Sequence, residues 1–282
     1  MNSNCAFYIG TTHEVCQDYA LANNGSIVVS DGCSGSINSD IGSRILSITA
    51  MNKIAEIDSL KEFEEKECIL LARPSVKMLN ISNECLDATL LAVSKKDNEL
   101  EAMCCGDGTI TIKTKDGILY VIDCVYTDSY PFYMNYLCSR DKRYENWIQL
   151  YNKREITISL IGNRGEVSEL AQKHIDTFRI NDFCVLRKLD HKILLEIADI
   201  ESIEHISIMS DGIHSFYETV ITETSKYNKS ISYLEVLKEL LAFKNYNKTF
   251  VQRRINKFRK DCIKKNWANA DDVSLASIYV GD

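Results

Sequence analysis

Two apolar runs in this chain end at the same three residues. Residues 26–36 read SIVVSDGCSGS, and residues 205–215 read HISIMSDGIHS. Each begins as a short stretch of apolar and β-branched residues, which is typical of a buried strand, and each stops at Ser-Asp-Gly. The pattern predicts two buried strands, far apart in sequence, that both carry an aspartate and a glycine at one end.

Strand-like runs alternate with turn signals through the first half of the chain. The segment YALANNGSIVVSD predicts a hairpin that turns at residues 23–25. The next segment predicts a helix, because apolar residues recur at helical spacing from Ile41 to Met51, with Ser39 or Asp40 as its N-cap. Residues 58–82 are predicted to be partly helical, with an interruption at Pro74.

The remaining segments complete an α+β pattern. Residues 85–125 hold four strand-like runs with short connections, which predict an antiparallel meander. EITISLIG predicts a strand, and EVSELAQKHIDTF predicts a helix. The last third is predicted to be helical after the second Ser-Asp-Gly, until the closing strand SLASIYV. We therefore expect antiparallel sheets with helices outside them, in one domain over residues 1–282.

Composition and charge narrow the functional class. The net charge of −7 argues against general binding of nucleic acid, which needs a basic face. No signal peptide is evident, and no apolar run is long enough to span a bilayer, so we expect a cytoplasmic protein without membrane contact. None of the 11 cysteines forms a C-x-x-C pair, and we interpret them as buried thiols in a reducing compartment.

Most of the Asp-Gly pairs in the chain do not fit a hairpin. Asp116-Gly117 joins two good strands and needs no function. Asp31-Gly32 and Asp211-Gly212 lack a returning strand, and Asp107 has glycine on both sides. A helix N-cap would explain any one of them. Several carboxylates at strand ends are nevertheless what Mg²⁺ or Mn²⁺ prefers as ligands, so we expect them to converge on metal ions.

Two further acidic sites lie at strand borders. Asp18 precedes the first strand of the hairpin, and residues 271–272, both aspartates, precede the last strand. With these included, six stretches occur in a fixed order over residues 12–280: THEVCQDYA, VVSDGCSGSINSDIGSRI, DATLLAV, CCGDGTI, IMSDGI and ADDVSLASIYV. In this order the chain resembles the bacterial-type branch of the metal-dependent serine/threonine protein phosphatases of type 2C.

The resemblance implies a fold and a metal centre. The fold would be a four-layer sandwich of two antiparallel sheets flanked by helices on both sides. Two ions, Mn²⁺ or Mg²⁺, would activate a water that hydrolyses phosphoserine or phosphothreonine in proteins. Asp31 would bridge both ions and the Gly32 carbonyl would bind one of them, while Asp211 and Asp271 would hold the other.

Further site residues are implied by the same resemblance. Asp18 would act on the ions directly or through waters. Asp107 matches an acid that helps hold a third, weaker ion, and Thr89 matches a threonine packed beside the centre. The implied partner is a phosphorylated protein, with a cognate kinase left open, and we expect a monomer.

The chain departs from the family pattern at two positions. No arginine occurs before Arg44 to clamp phosphate, and Cys33 stands where many members have a histidine after Asp-Gly. His13, five residues before Asp18, is a candidate for contacting phosphate or donating a proton, and it is equally explained as a structural histidine. His214 is a weaker candidate for a site role.

Three functions remain open on the sequence. The first is a metal-dependent phosphoprotein phosphatase. The second is a phosphatase-fold binding module with little or no activity, which the missing arginine and histidine favour. The third is a phosphatase that acts on a small phosphorylated metabolite.

Overall fold

Two seven-stranded antiparallel sheets form the centre of the molecule. The computed structural model describes residues 1–126, 131–139, 145, 147, 154–162, 166–169, 177–180, 184–222 and 225–281. In spatial order, the strands of the first sheet are β1 (Asn2–Tyr8), β17 (Val273–Tyr279), β13 (Ile203–Met209), β6 (Gly108–Thr114), β7 (Leu119–Tyr126), β8 (Arg154–Ile161) and β9 (Val167–Glu169).

The second sheet and a small third sheet complete the strands. In spatial order, the strands of the second sheet are β10 (Thr177–Ile180), β11 (Cys184–Lys188), β12 (Lys192–Ile197), β5 (Glu99–Cys105), β4 (Leu90–Lys96), β3 (Ser26–Asp31) and β2 (Asp18–Asn23). The third sheet comprises β15 (Lys226–Ser230), β14 (Phe216–Ile221) and β16 (Trp267–Asn269).

Helices cover the outer face of each large sheet. Four α-helices are described by their residue ranges: α1 (Ser39–Glu56), α2 (Glu65–Met78), α3 (Tyr233–Leu240) and α4 (Phe250–Lys264). Short 3₁₀ turns occupy Leu60–Glu62, Asn83–Leu86, Met134–Cys138 and Asp211–His214. The first two helices pack on the second sheet, and the last two pack on the first sheet. The predicted four-layer sandwich is confirmed.

The layer order explains why the strands are apolar on both faces. In β3, Ile27 and Val29 pack between the two sheets, whereas Val28 points the other way and packs beneath α1 and α2. Successive side chains of a strand point to opposite faces, so a strand buried on both sides reads as a continuous apolar run. This is the physical origin of the SIVVS pattern.

The first hairpin and helix lie where the sequence predicts them, with two corrections. β2 and β3 pair in the predicted hairpin. The N-cap of α1 is Asn38, in the left-handed region at φ 59°, rather than Ser39 or Asp40. The fully buried face of the helix carries Leu46, Ala50 and Ile54, while Ile45 and Met51 of the predicted series pack at the edge of the same core and are only partly buried.

Three predictions of helical structure fail at particular residues. Pro74 does not interrupt α2 but lies within it. The helix predicted for residues 166–178 meets a strand at each end, β9 and β10, and residues 170–176 lie outside the described part of the chain. Likewise, the second Ser-Asp-Gly is followed by one 3₁₀ turn and then by β14, not by a longer helix.

The predicted meander is two hairpins in different sheets. β4 pairs with β5, and β6 pairs with β7, but β5 and β6 belong to opposite sheets. The chain crosses between them at residues 106–108, where Gly106 and Gly108 have φ of 98° and 132°. Only glycine adopts such angles without strain, so the Gly-Asp-Gly motif is the sheet crossing, and it carries Asp107 between the two sheets.

Two expectations about composition can be compared with the structure. All 11 cysteines are free, as predicted, and most are buried. In the described part of the chain, no helix combines the length and the apolar character that a membrane crossing requires.

Candidate metal centre

The ends of several strands meet on one side of the sandwich. Asp31 is the last residue of β3, and Asp211 comes two residues after β13. In an antiparallel sheet the end of one strand lies beside the start of its neighbour. Asp18, at the start of β2, therefore pairs directly with Asp31, and Asp271 precedes β17 beside the end of β13.

A glycine allows these ends to approach closely. A Cβ atom at Gly212 would lie 1.6 Å from the carbonyl oxygen of Asp272, which is far inside van der Waals contact. Gly32 continues from β3 and forms an isolated bridge with Ala88, while its backbone N–H donates to the Gln17 carbonyl at 3.3 Å. The Asp-Gly pairs thus bring backbone and carboxylate groups into one confined region.

An acidic cavity of about 420 Å³ opens where these strand ends meet. Among the described residues, it is lined by neither Lys nor Arg. Its walls include most of the sequence-predicted site residues: His13, Asp31, Gly32, Thr89, Asp107, Asp211 and Asp271. Cys33 and His214 also line the cavity.

Asp18 lies beneath the cavity rather than in its wall. Its side chain is 1% exposed, and its Oδ2 atom accepts a hydrogen bond from the Ser210 hydroxyl at 2.6 Å. The Ser210 oxygen in turn accepts from the backbone N–H of Ser274 at 3.0 Å, which links β2, β13 and β17. The Oδ1 atom of Asp18 is buried and has no hydrogen-bond partner in the described structure.

The carboxyl groups repel one another in the absence of a cation. Burial, followed by the negative charges of Asp18, Asp211 and Asp271, raises the pKa of Asp31 well above its ordinary value of 3.8. Burial also raises the pKa of Asp18 to about 7, although the Ser210 hydrogen bond opposes this change. Burial and the charge of Asp211 raise the pKa of Asp271.

Thr89 supports Asp31 from the neighbouring strand. Its Oγ1 atom accepts a hydrogen bond from the Asp31 backbone N–H at 3.2 Å, and its own N–H donates to the Asp31 carbonyl at 2.9 Å. Thr89 is 2% exposed. The residue therefore fixes the end of β3, and with it the direction of the Asp31 side chain.

His13 is held at the cavity by the second aspartate of the ADD motif. Its Nδ1 atom lies 3.1 Å from Oδ2 of Asp272 and 3.6 Å from Oδ1 of Asp271. Asp272 is 1% exposed, and its two oxygens accept the backbone N–H groups of Gly10 and Gln17. Burial opposes protonation of His13, but the neighbouring carboxylates raise its pKa overall.

These three residues form a compact group of candidate metal ligands. One atom from each of His13, Asp271 and Asp272 lies within 4.8 Å of the others. Both oxygens of Asp272 are already used by backbone amides, however. We therefore regard Asp272 as a clamp on residues 10–17 and not as a metal ligand.

Sequence reasoning missed the residues that support the site from other strands. Ser210 holds Asp18, and Asp123 on β7 contacts His214 at 3.1 Å. Ser210 is part of the repeated Ser-Asp-Gly, so the repeat itself was a signal. Asp123 lies within an apolar run and gave no sign of a role before the fold placed it beside His214.

The site fits a divalent cation on its own chemistry. Buried carboxylate oxygens of Asp18 and Asp211 have no hydrogen-bond partner among the described residues. Buried polar atoms are normally satisfied, and clustered carboxylates need positive charge nearby. Hard oxygen donors of this kind suit Mg²⁺ or Mn²⁺.

Comparisons with solved structures agree with this architecture. A bacterial serine phosphatase superposes with a TM-score of 0.53 at 9% identity, over 100% of this chain and 99% of that chain. Serine/threonine phosphatase Stp1 from Staphylococcus aureus superposes with a TM-score of 0.51 at 9% identity, over 99% and 95% of the two chains. At such identities the likeness shows the fold alone. No curated protein matches the sequence.

A family match decides the assignment. Residues 10–258 match the family described as protein phosphatase 2C. The chain belongs to the protein phosphatase 2C family. This phosphatase is therefore an enzyme that hydrolyses phosphoserine and phosphothreonine in proteins with the help of divalent metal ions. The resemblance seen in the sequence, and the activity it implied, are confirmed.

Proposed function

We propose that this phosphatase holds two Mn²⁺ or Mg²⁺ ions in the acidic cavity, with Asp31, Gly32, Asp211 and Asp271 as ligands. The observation that carries the proposal is the convergence of four aspartates in a cavity whose described lining contains neither Lys nor Arg, namely Asp31, Asp107, Asp211 and Asp271. A buried oxygen of Asp211 has no hydrogen-bond partner among the described residues. When bound, the ions supply an activated water and neutralise the phosphoryl oxygens.

The remaining predicted residues receive supporting roles. Asp18 lies under Asp31 and acts through it, since the Ser210 hydrogen bond fixes its carboxylate. Asp107, at the sheet crossing, lines the same cavity, and we assign it to a third, more weakly bound ion. His13 takes the phosphate-binding position that lacks an arginine, because the carboxylates beside it favour its cationic form.

The setting of the enzyme is also a proposal. We assign residues 1–282 to one phosphatase domain that acts as a monomer in cytoplasmic signalling, opposite a cognate kinase. The 11 free cysteines suit a reducing compartment and support this location. Light scattering of the purified protein tests the monomer directly.

Metal titration combined with kinetics tests the ligand assignment. We expect Mn²⁺-dependent hydrolysis of a phosphoserine peptide and of 4-nitrophenyl phosphate, and calorimetry should count two or three ions. Replacing one ligand, in Asp31→Asn or Asp211→Asn, should reduce turnover by more than about 100-fold and weaken Mn²⁺ binding, since even partners one shell further out cost about 10–100-fold.

A matched control lies on a distant hairpin. Asp116 also precedes a glycine, but it bonds the Thr114 hydroxyl within a β-turn. Asp116→Asn should leave turnover and Mn²⁺ binding unchanged.

The binding-module alternative is favoured by Cys33, which stands where many members carry a histidine. Mn²⁺ binding without hydrolysis of any phosphate ester would support that alternative and contradict the catalytic role.

A further inference from the structure

A second imidazole lines the cavity, and it is paired with a buried carboxylate. His214 ends the 3₁₀ turn that begins at Asp211, and its ring faces the same cavity as Asp31 and Asp271. Its Nε2 atom lies 3.1 Å from Oδ1 of Asp123. The two residues are 91 positions apart in sequence, so the fold alone creates the pair.

Asp123 is fixed in place by its own strand pair. It is 4% exposed and lies opposite Thr109 in the β6–β7 register. The Thr109 hydroxyl donates a hydrogen bond to Oδ1 of Asp123 at 2.6 Å. A buried carboxylate held in this way orients the imidazole and stabilises its positive charge.

The ring of His214 is also packed from a third element. Tyr233, at the start of α3, lies with its ring centroid 4.5 Å from that of His214. The side chain of His214 is still 31% exposed, so the residue remains accessible from the cavity. Its other nitrogen, Nδ1, forms no hydrogen bond with any residue that the structure describes. Nε2 is therefore the nitrogen that Asp123 anchors.

The surrounding charges favour the protonated ring. Burial alone would lower the pKa of His214, but the hydrogen bond and charge of Asp123, together with the charge of Asp211, raise it. A proton donor at neutral pH needs such surroundings.

We propose that His214, positioned by Asp123, is the general acid that protonates the departing serine or threonine oxygen. The proposal rests on the proposed function of the cavity. The bond from phosphorus to the side-chain oxygen breaks, and its electron pair stays on that oxygen. The imidazolium proton then completes the hydroxyl group, while water supplies the oxygen of the released phosphate. Solvent returns the proton to the neutral ring.

His13 is the rival candidate, and the structure separates the two histidines. The carboxylate beside His13 is Asp272, whose two oxygens already accept two backbone amides. Asp123 receives the Thr109 hydroxyl and the His214 ring on the same atom, Oδ1, and accepts no backbone amide among the hydrogen bonds of the described residues. We therefore assign proton donation to His214, and phosphate contact to His13.

Leaving-group dependence tests the assignment. A general acid matters for a poor leaving group such as serine, and little for 4-nitrophenolate, which departs without a proton. In the Mn²⁺-loaded enzyme, His214→Gln should lower kcat for a phosphoserine peptide by about 100-fold, but kcat for 4-nitrophenyl phosphate by less than about threefold. Phenyl phosphate should fall between them. Asp123→Asn should rank the three substrates in the same order, with a smaller decrease in kcat for each.

Two control variants and two readouts without turnover make the test decisive. His191→Gln changes a histidine that stacks on Phe132 and does not line the cavity, so its kinetics should match wild type. His13→Gln should raise KM for the peptide and 4-nitrophenyl phosphate alike. Calorimetry should show unchanged Mn²⁺ binding by His214→Gln. Nitrogen NMR of the metal-free protein should show His214 protonated at Nε2, and Asp123→Asn should lose this preference.

The outcomes separate this proposal from the function on which it rests. Equal losses for all substrates in His214→Gln would overturn the general-acid role, as would a leaving-group dependence found in His13→Gln instead. If wild-type enzyme hydrolyses no substrate with bound Mn²⁺, the proposed function itself fails and the general acid fails with it.

Discussion

The buried carboxylate of Asp18 should destabilise the metal-free enzyme at neutral and alkaline pH. Its pKa rises from 3.8 to about 7 because it is buried beside other acids. A group whose pKa is raised on folding contributes stability below its unfolded pKa and loses it as the pH rises through the folded value. The window for this loss is therefore pH 4 to 7.

The magnitude follows from the same values. A tenfold change in an acid dissociation constant corresponds to about 1.4 kcal/mol, so ionised Asp18 costs the metal-free fold about 4 kcal/mol at pH 8. Asp18→Asn removes this cost, and its amide oxygen can still accept the Ser210 hydrogen bond. The variant should be more stable than wild type at pH 8 and nearly equal to it at pH 4.

The difference in unfolding free energy is measured by urea unfolding in the presence of a chelator. The unfolding is monitored by circular dichroism at pH values from 4 to 9. Asp116→Asn serves as the control, because Asp116 lies outside the cavity. Mn²⁺ at 100 times its dissociation constant should narrow the difference at pH 8, since ligand at that concentration adds about 2.7 kcal/mol to the protein that binds it. Parallel pH profiles for wild type and Asp18→Asn would refute the reasoning.

Two more predictions concern the fold away from the metal. Burial lowers the pKa of His205 to about 3 from 6.5, so its contribution to stability is present above pH 6.5 and is lost as the pH falls toward 3. Between pH 7 and pH 5 the free energy of unfolding, measured by urea titration, should fall by about 2 kcal/mol more for wild type than for His205→Gln. Equal decreases in the two proteins would contradict this prediction. In α1, a Cβ atom at Gly42 would lie 1.6 Å from the Cys85 carbonyl oxygen. Gly42→Ala should therefore lower the unfolding free energy by about 3 kcal/mol despite the better helix propensity of Ala. Gly35→Ala, whose nearest neighbour is Cys33 Sγ at 3.7 Å, is the matched control and should be nearly neutral.

Local patterns located the strands well because a strand that is buried on both faces must be apolar along its length, which a short stretch of sequence shows. Apolar runs and turn residues identified β2, β3, β8 and β17. The helix predictions were less accurate about which face of each helix is buried, because packing decides that face. The buried face of α1 is set by where the sheet lies, which sequence spacing cannot give.

The group of acids that lines the cavity could be predicted because each acid carries a local signal. Asp31 and Asp211 both follow an apolar run and precede a glycine, and Asp107 lies between two glycines. The residues that hold these acids have weaker signals. Thr89 supports Asp31 through backbone pairing, and only strand register makes that contact.

The sequence by itself determined the family, the strand runs and the identity of the acidic residues, since each depends on neighbours in the chain. Only the tertiary structure decided that β5 and β6 part into opposite sheets and that Asp123 meets His214. Those outcomes depend on which distant surfaces bury each other. The free energy of that burial is shared by the whole sandwich, so no short stretch of sequence records it.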